Sequence, residues 1–357
     1  MKPIKIFAVP SHAAKERTSG VDFARIIQPM EYLGKEKGFK VMIYDPKLNE
    51  EMDWLEVTAN NDILFLNYTT NPWSFAIMGC LARKHGRKIV LDIDDALWLV
   101  RPDNTAYEVF KKGSEGIKNF TAICNEVDYV TTTSSYLKNV ICHYTLKRHE
   151  QVIVLPNCID LENLYTYRFQ PKKRHTITIC HFGSSSHYKD LQDSGFVEGV
   201  DRLMKDLPNV NLLTIGALIP KFKYKWGVRY RQDFGDIDLY KWVKEKFPKF
   251  MEEADIVVAP LEVDTYNRAK SYIKFLEYSS AKKPGVYQDI TPYQEIVKPE
   301  ENGYLASDGD DWYNYLKKLA LDFQLRKKIG EKAFRTIQAH TIQKNVARYA
   351  DFFKSII

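Results

Sequence analysis

The first half of the chain alternates short apolar runs with longer segments of helical periodicity. The apolar runs are rich in Val, Ile, Leu and aromatic residues and are bounded by polar or turn residues, as buried parallel strands are. They lie at Ile4–Val9, Val41–Tyr44, Ile63–Leu66, Ile89–Ile93, Tyr129–Thr132 and Val152–Leu155. Segments of helical period separate them at Phe23–Lys37, Pro72–His85, Tyr107–Glu126 and Ser135–Tyr144. This alternation predicts an α/β domain built on a doubly wound parallel sheet.

The pattern begins again after a basic, proline-containing stretch at Arg168–His175, which we interpret as a linker. Further strands are predicted at Ile177–Phe182, Leu212–Gly216, Ile256–Pro260, Gly285–Tyr287 and Tyr304–Ala306. Helices are predicted at Leu191–Lys205, Leu239–Glu253, Ala269–Ala281, Trp312–Leu319, Phe323–Ala339 and Thr341–Ile357. We therefore expect two Rossmann-like domains facing a cleft, at residues 1–166 and 167–340, with the helix at 341–357 packing back on the first domain.

Composition agrees with two folded domains and adds little about the ligand. The chain has 357 residues, which is more than one hydrophobic core usually serves. Its net charge of +6 suits an anionic ligand but does not require nucleic acid. The first residues lack the pattern of a secretory signal, and no apolar run is long enough to span a membrane. Five cysteines without CxxC spacing predict reduced, buried thiols, so we expect a cytoplasmic protein, with peripheral contact to a membrane left open.

Three carboxylates, those of Asp92, Asp94 and Asp95, end a predicted strand of the first domain. Period-2 alternation places Asp92 and Asp94 on one face and Asp95 on the other. Like charges this close raise one another's pKa, which suits acid and base chemistry, contacts to sugar hydroxyls or a divalent metal. The alternative is a helix N-cap with a solvated loop. We take Asp94 and Asp95 as the candidate catalytic residues.

A polar loop follows the first strand of the second domain. Its glycine, Gly183, is followed by three serines, of which Ser184 is the first, and then by His187 and Lys189. Backbone amides, hydroxyls and the start of a helix near Asp190 would suit a diphosphate. The alternative is an ordinary polar turn, because the spacing matches no Walker or dinucleotide fingerprint.

The densest set of candidate donor-binding residues lies in a polar loop after a strand of the second domain and on the predicted helix that follows it. On that helix, Lys270, Lys274, Glu277 and Ala281 would form a row, each about one turn from the next. Cations near the start of a helix oppose its dipole unless an anion is bound there, which favours a phosphate site over a surface Lys-to-Glu pair. The set comprises Asn267, Lys270, Ser271, Lys274 and Glu277.

These residues resemble a known family. Asn267, Lys270-Ser271, Lys274 and Leu276-Glu277-Tyr278, followed by Pro284-Gly-Val and Glu301-Asn-Gly-Tyr-Leu305, are similar to the donor domain of GT-B glycosyltransferases of the group-1 class, which retain anomeric configuration. Leu155-Pro-Asn-Cys-Ile-Asp160 resembles the family's element at the domain junction, and Ser19-Gly20 with Arg25 and Gln28-Pro29 resembles its first βα loop, which reaches the cleft.

The resemblance implies transfer of a sugar from a nucleoside diphosphate sugar to a glycan, a lipid-linked acceptor or another hydroxyl. It also implies that Glu277 holds the ribose hydroxyls and that Lys189 and Lys274 neutralise the leaving diphosphate, with no metal and no cofactor beyond the donor. The chain departs from the family at Ala269, where the first of two glutamates eight positions apart is expected. Asn267 or Lys270 are candidates to replace it.

One segment is not explained by the resemblance. Lys221 to Arg231, which we call the basic-aromatic segment, alternates cations with aromatic residues, so as a strand it would present lysines on one face and rings on the other. An exposed hairpin packed through its rings is the simpler interpretation. A face that binds DNA, in an enzyme that glycosylates a hydroxylated base, is the alternative. A sugar-nucleotide or glycan-binding module without catalysis is a further alternative, favoured by Ala269.

Overall fold

The computed structural model describes residues 2–11, 19–45, 53–68, 71–167, 169, 175–183, 188–233 and 241–357. The predicted linker at Arg168–His175 therefore lies mostly outside the described residues. Two six-stranded sheets organise the chain, and each pairs its strands in parallel throughout. Two Rossmann-like α/β units are the predicted fold class, and that prediction is confirmed.

The first sheet has the strand order β2-β1-β3-β4-β5-β6. Its strands are β1 (Ile4–Val9), β2 (Phe39–Ile43), β3 (Ile63–Asn67), β4 (Lys88–Ile93), β5 (Tyr129–Thr132) and β6 (Val152–Val154). The helices of this unit are α1 (Gly20–Asp22), α2 (Gln28–Leu33), α3 (Trp54–Asn60), α4 (Pro72–Lys84), α5 (Tyr107–Phe110), α6 (Glu115–Glu126) and α7 (Ser135–Tyr144). A π-helical turn, Phe23–Ile27, joins α1 to α2. The central strands β3 and β4 are buried along nearly their whole length, as expected for a parallel sheet with helices on both faces.

The second sheet has the order β12-β11-β10-β7-β8-β9. Its strands are β7 (Ile177–Phe182), β8 (Val210–Ile215), β9 (Tyr230–Asp233), β10 (Ile256–Ala259), β11 (Gly285–Gln288) and β12 (Tyr304–Ala306). Its helices are α8 (Tyr188–Asp193), α9 (Phe196–Asp206), α10 (Pro220–Trp226), α11 (Phe247–Glu253), α12 (Thr265–Arg268), α13 (Ile273–Ser280), α14 (Thr291–Gln294), α15 (Gly309–Leu321) and α16 (Phe323–Ile337). A π-helical turn, Trp242–Lys246, precedes α11.

The last helix, α17 (Ile342–Ser355), lies against the first sheet. Its buried apolar residues share one core cluster with strands of that sheet and with α2. The ring of Phe353, for example, lies 5.4 Å from the ring of Phe65 in β3. The chain therefore crosses between the two units twice, and the crossings meet at a parallel bridge between Ile159 and Thr341.

Two predicted helices are broken where the backbone is locally constrained. The segment Tyr107–Glu126 divides into α5 and α6, because Gly113 adopts a positive φ of 84° and Ser114 caps α6 by accepting from the amide of Ile117. The segment Ala269–Ala281 becomes a helix only at Ile273. Lys270 and Ser271 therefore precede α13, and the predicted helical row that included Lys270 is wrong.

The strand predicted for the basic-aromatic segment is also wrong. Pro220 starts a helix there, and the four-residue spacing of Phe222 and Trp226 turns both rings toward the domain. Phe222 is fully buried in the second core. The segment becomes a strand only at Tyr230, where β9 forms the edge of the sheet. No hairpin face that alternates lysines with rings is formed.

The five cysteines, which all lie among the described residues, form no disulfide, and Cys124, Cys158 and Cys180 are buried as expected. Cys80 is exposed on α4, so the expectation of burial is wrong for that residue. Within the described part of the chain, none of the helices is long and apolar enough to cross a membrane.

Candidate active site

The candidate carboxylates lie where β4 ends, and the three do not share one role. Asp92 is fully buried and accepts two hydrogen bonds of 2.8 Å from the guanidinium of Arg25. Arg25 also donates to the carbonyl of Leu155 at 2.7 Å and to the side chain of Asn157 at 2.9 Å. Asp92 is therefore the centre of a buried ion pair that fixes the first sheet to its α1–α2 segment.

For Arg25 and Gln28, the expected position at the cleft is corrected by the same contacts. Arg25 has no exposed side-chain surface, and Gln28 is only 2% exposed. Both side chains point into the first unit, because the π-helical turn places Arg25 above Asp92 rather than at the cleft. Ser19 acts locally by capping α1 through the amide of Asp22.

Asp94 and Asp95 begin the turn after β4, and Tyr68 organises that turn. The hydroxyl of Tyr68 donates to the carboxylate of Asp94 and accepts from its backbone amide at 2.9 Å. Tyr68 follows β3 and has a positive φ of 40°, which is uncommon for a bulky side chain and brings its ring over the turn. Burial, together with the negative charge of Asp95, raises the pKa of Asp94 to about 7. Asp94 can therefore exchange a proton near neutral pH.

Asp95 reaches across to the second unit. Its carboxylate lies 3.3 Å from the ammonium of Lys270 and accepts a hydrogen bond of 3.2 Å from the hydroxyl of Tyr266. The same ammonium lies 4.7 Å from the centre of the Tyr266 ring, a cation–π contact. Burial disfavours the charged form of Lys270. The attractions of Asp95, Tyr266 and Asp190 together outweigh this effect and raise the pKa of the ammonium above its usual value. The charges of the two units are therefore matched across the cleft.

Arg101 makes the second contact across the cleft. One of its guanidinium nitrogens, Nη1, lies 2.9 Å from carboxylate oxygens of Asp190 and Glu262 and 3.0 Å from Asp264. Arg101 belongs to the loop after Leu97–Leu99, whereas its three partners belong to the second unit. Asp190 is 1% exposed and also accepts from the side-chain amide of Asn267 at 2.8 Å. A single arginine thus holds α8 and the loop before α12 against the first unit.

The candidate donor residues contact different partners and do not all contact one another. Gly183 ends β7 and donates to the carbonyl of Ile215 at 3.0 Å, while Lys189 lies 3.6 Å from Glu262. Ser271 accepts a hydrogen bond of 2.8 Å from Asn157, which belongs to the first unit. Lys274 and Glu277 pair with each other at 2.8 Å on α13. Ser184 and His187 lie outside the described residues.

Glu277 is largely shielded from solvent, with 11% of its side chain exposed. Burial and the charge of Glu277 raise the pKa of the neighbouring Tyr165 well above its usual value. The pair of Glu277 with Lys274 is therefore not an exposed surface pair. A surface pair of a lysine with a glutamate was the alternative interpretation of this segment. Ala269, where a second glutamate was expected, is fully buried among residues of the first unit's core.

Three residues of the site were not found by sequence reasoning, namely Tyr68, Arg101 and Tyr266. Tyr68 and Arg101 stand in loops without periodicity, and their partners are far away in sequence. Tyr266 follows the run Leu261 to Asp264 in a segment that was singled out, but its role depends on Asp95, 171 positions earlier. The only signal available was position, because all three come shortly after a strand of a parallel sheet or in the loop that follows one.

The arrangement of two facing Rossmann-like units is shared with solved glycosyltransferase structures. HepE of Anabaena in complex with UDP-glucose is 14% identical, covers 99% of this chain and 100% of its own, and has a TM-score of 0.69. A glycosyltransferase of Rickettsia africae is 14% identical over 100% and 99% of the two chains, with a TM-score of 0.67. Sucrose-phosphate synthase of Thermosynechococcus elongatus is 15% identical over 100% and 99%, with a TM-score of 0.66. These likenesses define the fold as GT-B.

A family match covers most of the second unit. Residues 176–322 match the family described as Glycosyl transferases group 1. No curated protein matches the chain. The match and the fold together support a glycosyltransferase, as the resemblance implied.

Proposed function

We propose that the enzyme transfers a sugar from a nucleoside diphosphate sugar to an acceptor hydroxyl with retention of anomeric configuration. The observation that carries this proposal is the meeting of Asp95 with Lys270 across the cleft at 3.3 Å. It brings the carboxylates that follow β4 against the segment that matches the family's donor domain. Structures of HepE with UDP, with UDP and glucose, and with UDP-glucose support a uridine nucleotide as the first donor to test.

The donor site in this proposal is formed by the second unit. Glu277 would bind the ribose hydroxyls, because a carboxylate offers two acceptor oxygens to a diol. Binding would open the pair with Lys274, whose ammonium would then face the diphosphate together with Lys189. The amide of the loop after Gly183 and the residues Ser184 and His187 complete the proposed phosphate loop. Cations held in place this way stabilise the leaving diphosphate, so the proposal includes no metal.

The sugar and the acceptor would lie between the two units. Asn267 is held by Asp190, and Ser271 by Asn157, so both are positioned at the edge of the donor segment. Lys270 would replace the glutamate that the family has at the position of Ala269. Asp95 and Tyr266 orient the ammonium of Lys270. Asp94 and Asp95 would contact the acceptor or the sugar. Closure of the units would keep out water, which competes with the acceptor for the sugar.

Thermal denaturation with a panel of sugar nucleotides and nucleoside diphosphates tests the donor site. A ligand that binds only the folded protein raises the midpoint, so we expect a rise with one base type that Glu277→Ala removes. Glu331→Ala is a matched control. Glu331 also pairs with a lysine, Lys282, but it lies on α16, outside the proposed donor site. No shift with any nucleotide at saturation, or a shift that Glu277→Ala leaves intact, would contradict the proposed donor site.

The stereochemistry needs its own measurement. Once the donor is known, the anomeric proton of the new glycoside is read by NMR during turnover, before any slower equilibration. The same anomeric configuration in donor and product is the expected result. A product of inverted configuration would contradict retention, but it would not contradict the proposed donor site.

A further inference from the structure

The basic-aromatic segment is firmly attached to the second unit. Trp226 donates from its indole nitrogen to Asp201 at 3.0 Å, and Phe222 is fully buried. The guanidinium of Arg229 donates to three carbonyls between the last turn of α9 and the start of β8, those of Met204 at 2.6 Å, Leu207 at 2.9 Å and Val210 at 2.9 Å. Gly227 ends the helix at a positive φ of 53°, which turns the chain back toward β9. Phe222, Trp226, Gly227 and Arg229 therefore serve to hold the segment against the second unit.

The other half of the segment faces solvent. Val228 is 100% exposed and Tyr224 is 89% exposed, so neither side chain contributes to the core. Lys221 and Lys223 are exposed beside them. The two apolar side chains are thus presented in water on a rigid support and add nothing to the hydrophobic core. Because single exposed apolar residues are common, they indicate an interaction surface only together with the charges beside them.

The charge of this surface has one sign. Residues 221–231 carry five cations and no acidic residue. Two of these cations are neutralised, because Lys225 pairs with Asp201 at 2.6 Å and Arg231 with Glu253 at 2.8 Å. Lys221 and Lys223 form no ion pair with any residue that the structure describes. Two uncompensated ammonium groups therefore flank the exposed Tyr224 and Val228.

We propose that this surface docks the enzyme onto an anionic lipid bilayer. Lysines attract anionic headgroups, while a tyrosine and an aliphatic side chain enter the boundary between headgroups and acyl chains. A nucleic acid fits less well, because only Tyr224, of the two exposed side chains, offers a ring on which a base could stack. The surface spans α10 and the turn before β9, and Arg229 in that turn donates to the carbonyl of Val210 at the amino end of β8. Docking would therefore place the amino edge of the second sheet near the bilayer. The inference does not depend on the identity of the donor.

Flotation of the full-length protein with vesicles tests this inference. We expect binding to phosphatidylcholine vesicles that contain phosphatidylglycerol and little binding to phosphatidylcholine alone. Each lysine near an anionic surface contributes about fivefold to affinity, so Lys221→Gln with Lys223→Gln should weaken binding by roughly twentyfold at low salt. Val228→Ser with Tyr224→Ser should weaken it as well, without lowering the thermal midpoint, because both side chains are already in solvent.

Leu321→Ser is the matched control, because Leu321 is 66% exposed on α15 and should leave vesicle binding unchanged. Several results would overturn the inference. These are no binding to anionic vesicles at low salt, binding that is insensitive to Val228→Ser with Tyr224→Ser, or equal lysine-dependent binding to DNA. A concentration-dependent dimer that the Val228→Ser and Tyr224→Ser variant abolishes would assign the surface to a second copy of the chain instead.

Discussion

Asp95 and Lys270 are 175 positions apart in the sequence and meet at 3.3 Å across the cleft. The carboxylate belongs to the first unit and the ammonium to the segment that matches the group-1 glycosyltransferase family. An anionic donor would compete with Asp95 for this ammonium, since both are attracted to the same charge. In the proposed mechanism, donor binding and the position of Asp95 are therefore coupled.

Asp95→Asn tests this coupling. The amide keeps the shape of the side chain but removes its charge, so we expect turnover to fall by about a hundredfold or more, as for loss of a group in acid or base catalysis. Donor affinity should be unchanged or slightly higher, because Lys270 loses its competing partner. Initial rates and titrations with the donor measure the two effects. The control is Asp310→Asn, at an exposed carboxylate that pairs with Arg202, and it should change neither turnover nor donor affinity. Turnover of Asp95→Asn equal to that of the wild type would show that Asp95 is not a catalytic residue.

Arg101→Ala is expected to loosen the two units. The substitution leaves the buried Asp190 without a guanidinium, which in a buried pair costs about 3 kcal/mol. We expect a thermal midpoint lower by several degrees and a higher KM for the donor, because α8 follows the proposed phosphate loop. Arg101→Lys should recover only part of the loss, since an ammonium lacks the planar geometry of the guanidinium.

The control for Arg101 is an arginine whose ion pair is exposed. Arg83 pairs with Glu126 at 2.9 Å, and both side chains are more than half exposed. Arg83→Ala should therefore change stability by less than about 1 kcal/mol. Equal losses of stability in Arg83→Ala and Arg101→Ala would show that the contact across the cleft stabilises the protein no more than an exposed ion pair does.

Asp94 predicts a dependence of stability on pH. Its pKa is raised to about 7 in the folded protein, whereas an unfolded aspartate loses its proton near its ordinary pKa of about 4. Between these values the folded state holds a proton that the unfolded state has released, so this contribution to stability falls as the pH rises from about 4 to about 7. Asp94→Asn should flatten that decline, and urea unfolding at several pH values measures it. A decline of the same size in Asp94→Asn would place its cause in another group.

Phe353→Ala tests the attachment of α17. The ring is fully buried against Phe65, so its removal should destabilise the first unit by about 3 kcal/mol or more through lost burial and a cavity. Hydrogen exchange of the strands β1 and β3 should report the loss, although the substitution lies near the other end of the sequence. Phe323→Ala, at a ring that is 63% exposed, should have little effect. Protection that is unchanged in Phe353→Ala would show that the helix adds nothing to the first unit.

Much of the fold is predictable because buried parallel strands are apolar along their whole length. The strand at Tyr230–Asp233 was missed since it is an edge strand of Tyr, Arg, Gln and Asp, which has no apolar signal. The basic-aromatic segment was misassigned because alternation of lysines and rings satisfies a strand pattern, while the spacing of Phe222 and Trp226 satisfies a helix equally well. Pro220 was the local residue that favoured the helix.

The candidate site was predictable only as separate segments. Asp94, Asp95 and the residues from Asn267 to Glu277 follow strands, and the structure places Asp95 beside Lys270 and Asn267 beside Asp190. Which of three neighbouring aspartates is structural could not be predicted, because the partner of Asp92 is Arg25, 67 positions away. The same holds for Arg101, whose three partners lie 89 to 163 positions later.

The two crossings of the chain between the units restrict how the cleft can open. Ile159 donates its amide to the carbonyl of His340 at 3.0 Å and accepts from the amide of Ile342 at 3.0 Å, so the two connections are hydrogen-bonded side by side. The two connections therefore form one hydrogen-bonded joint between the units. Any opening of the cleft would bend the chain at this joint, and it would separate the contacts of Arg101 and Asp95.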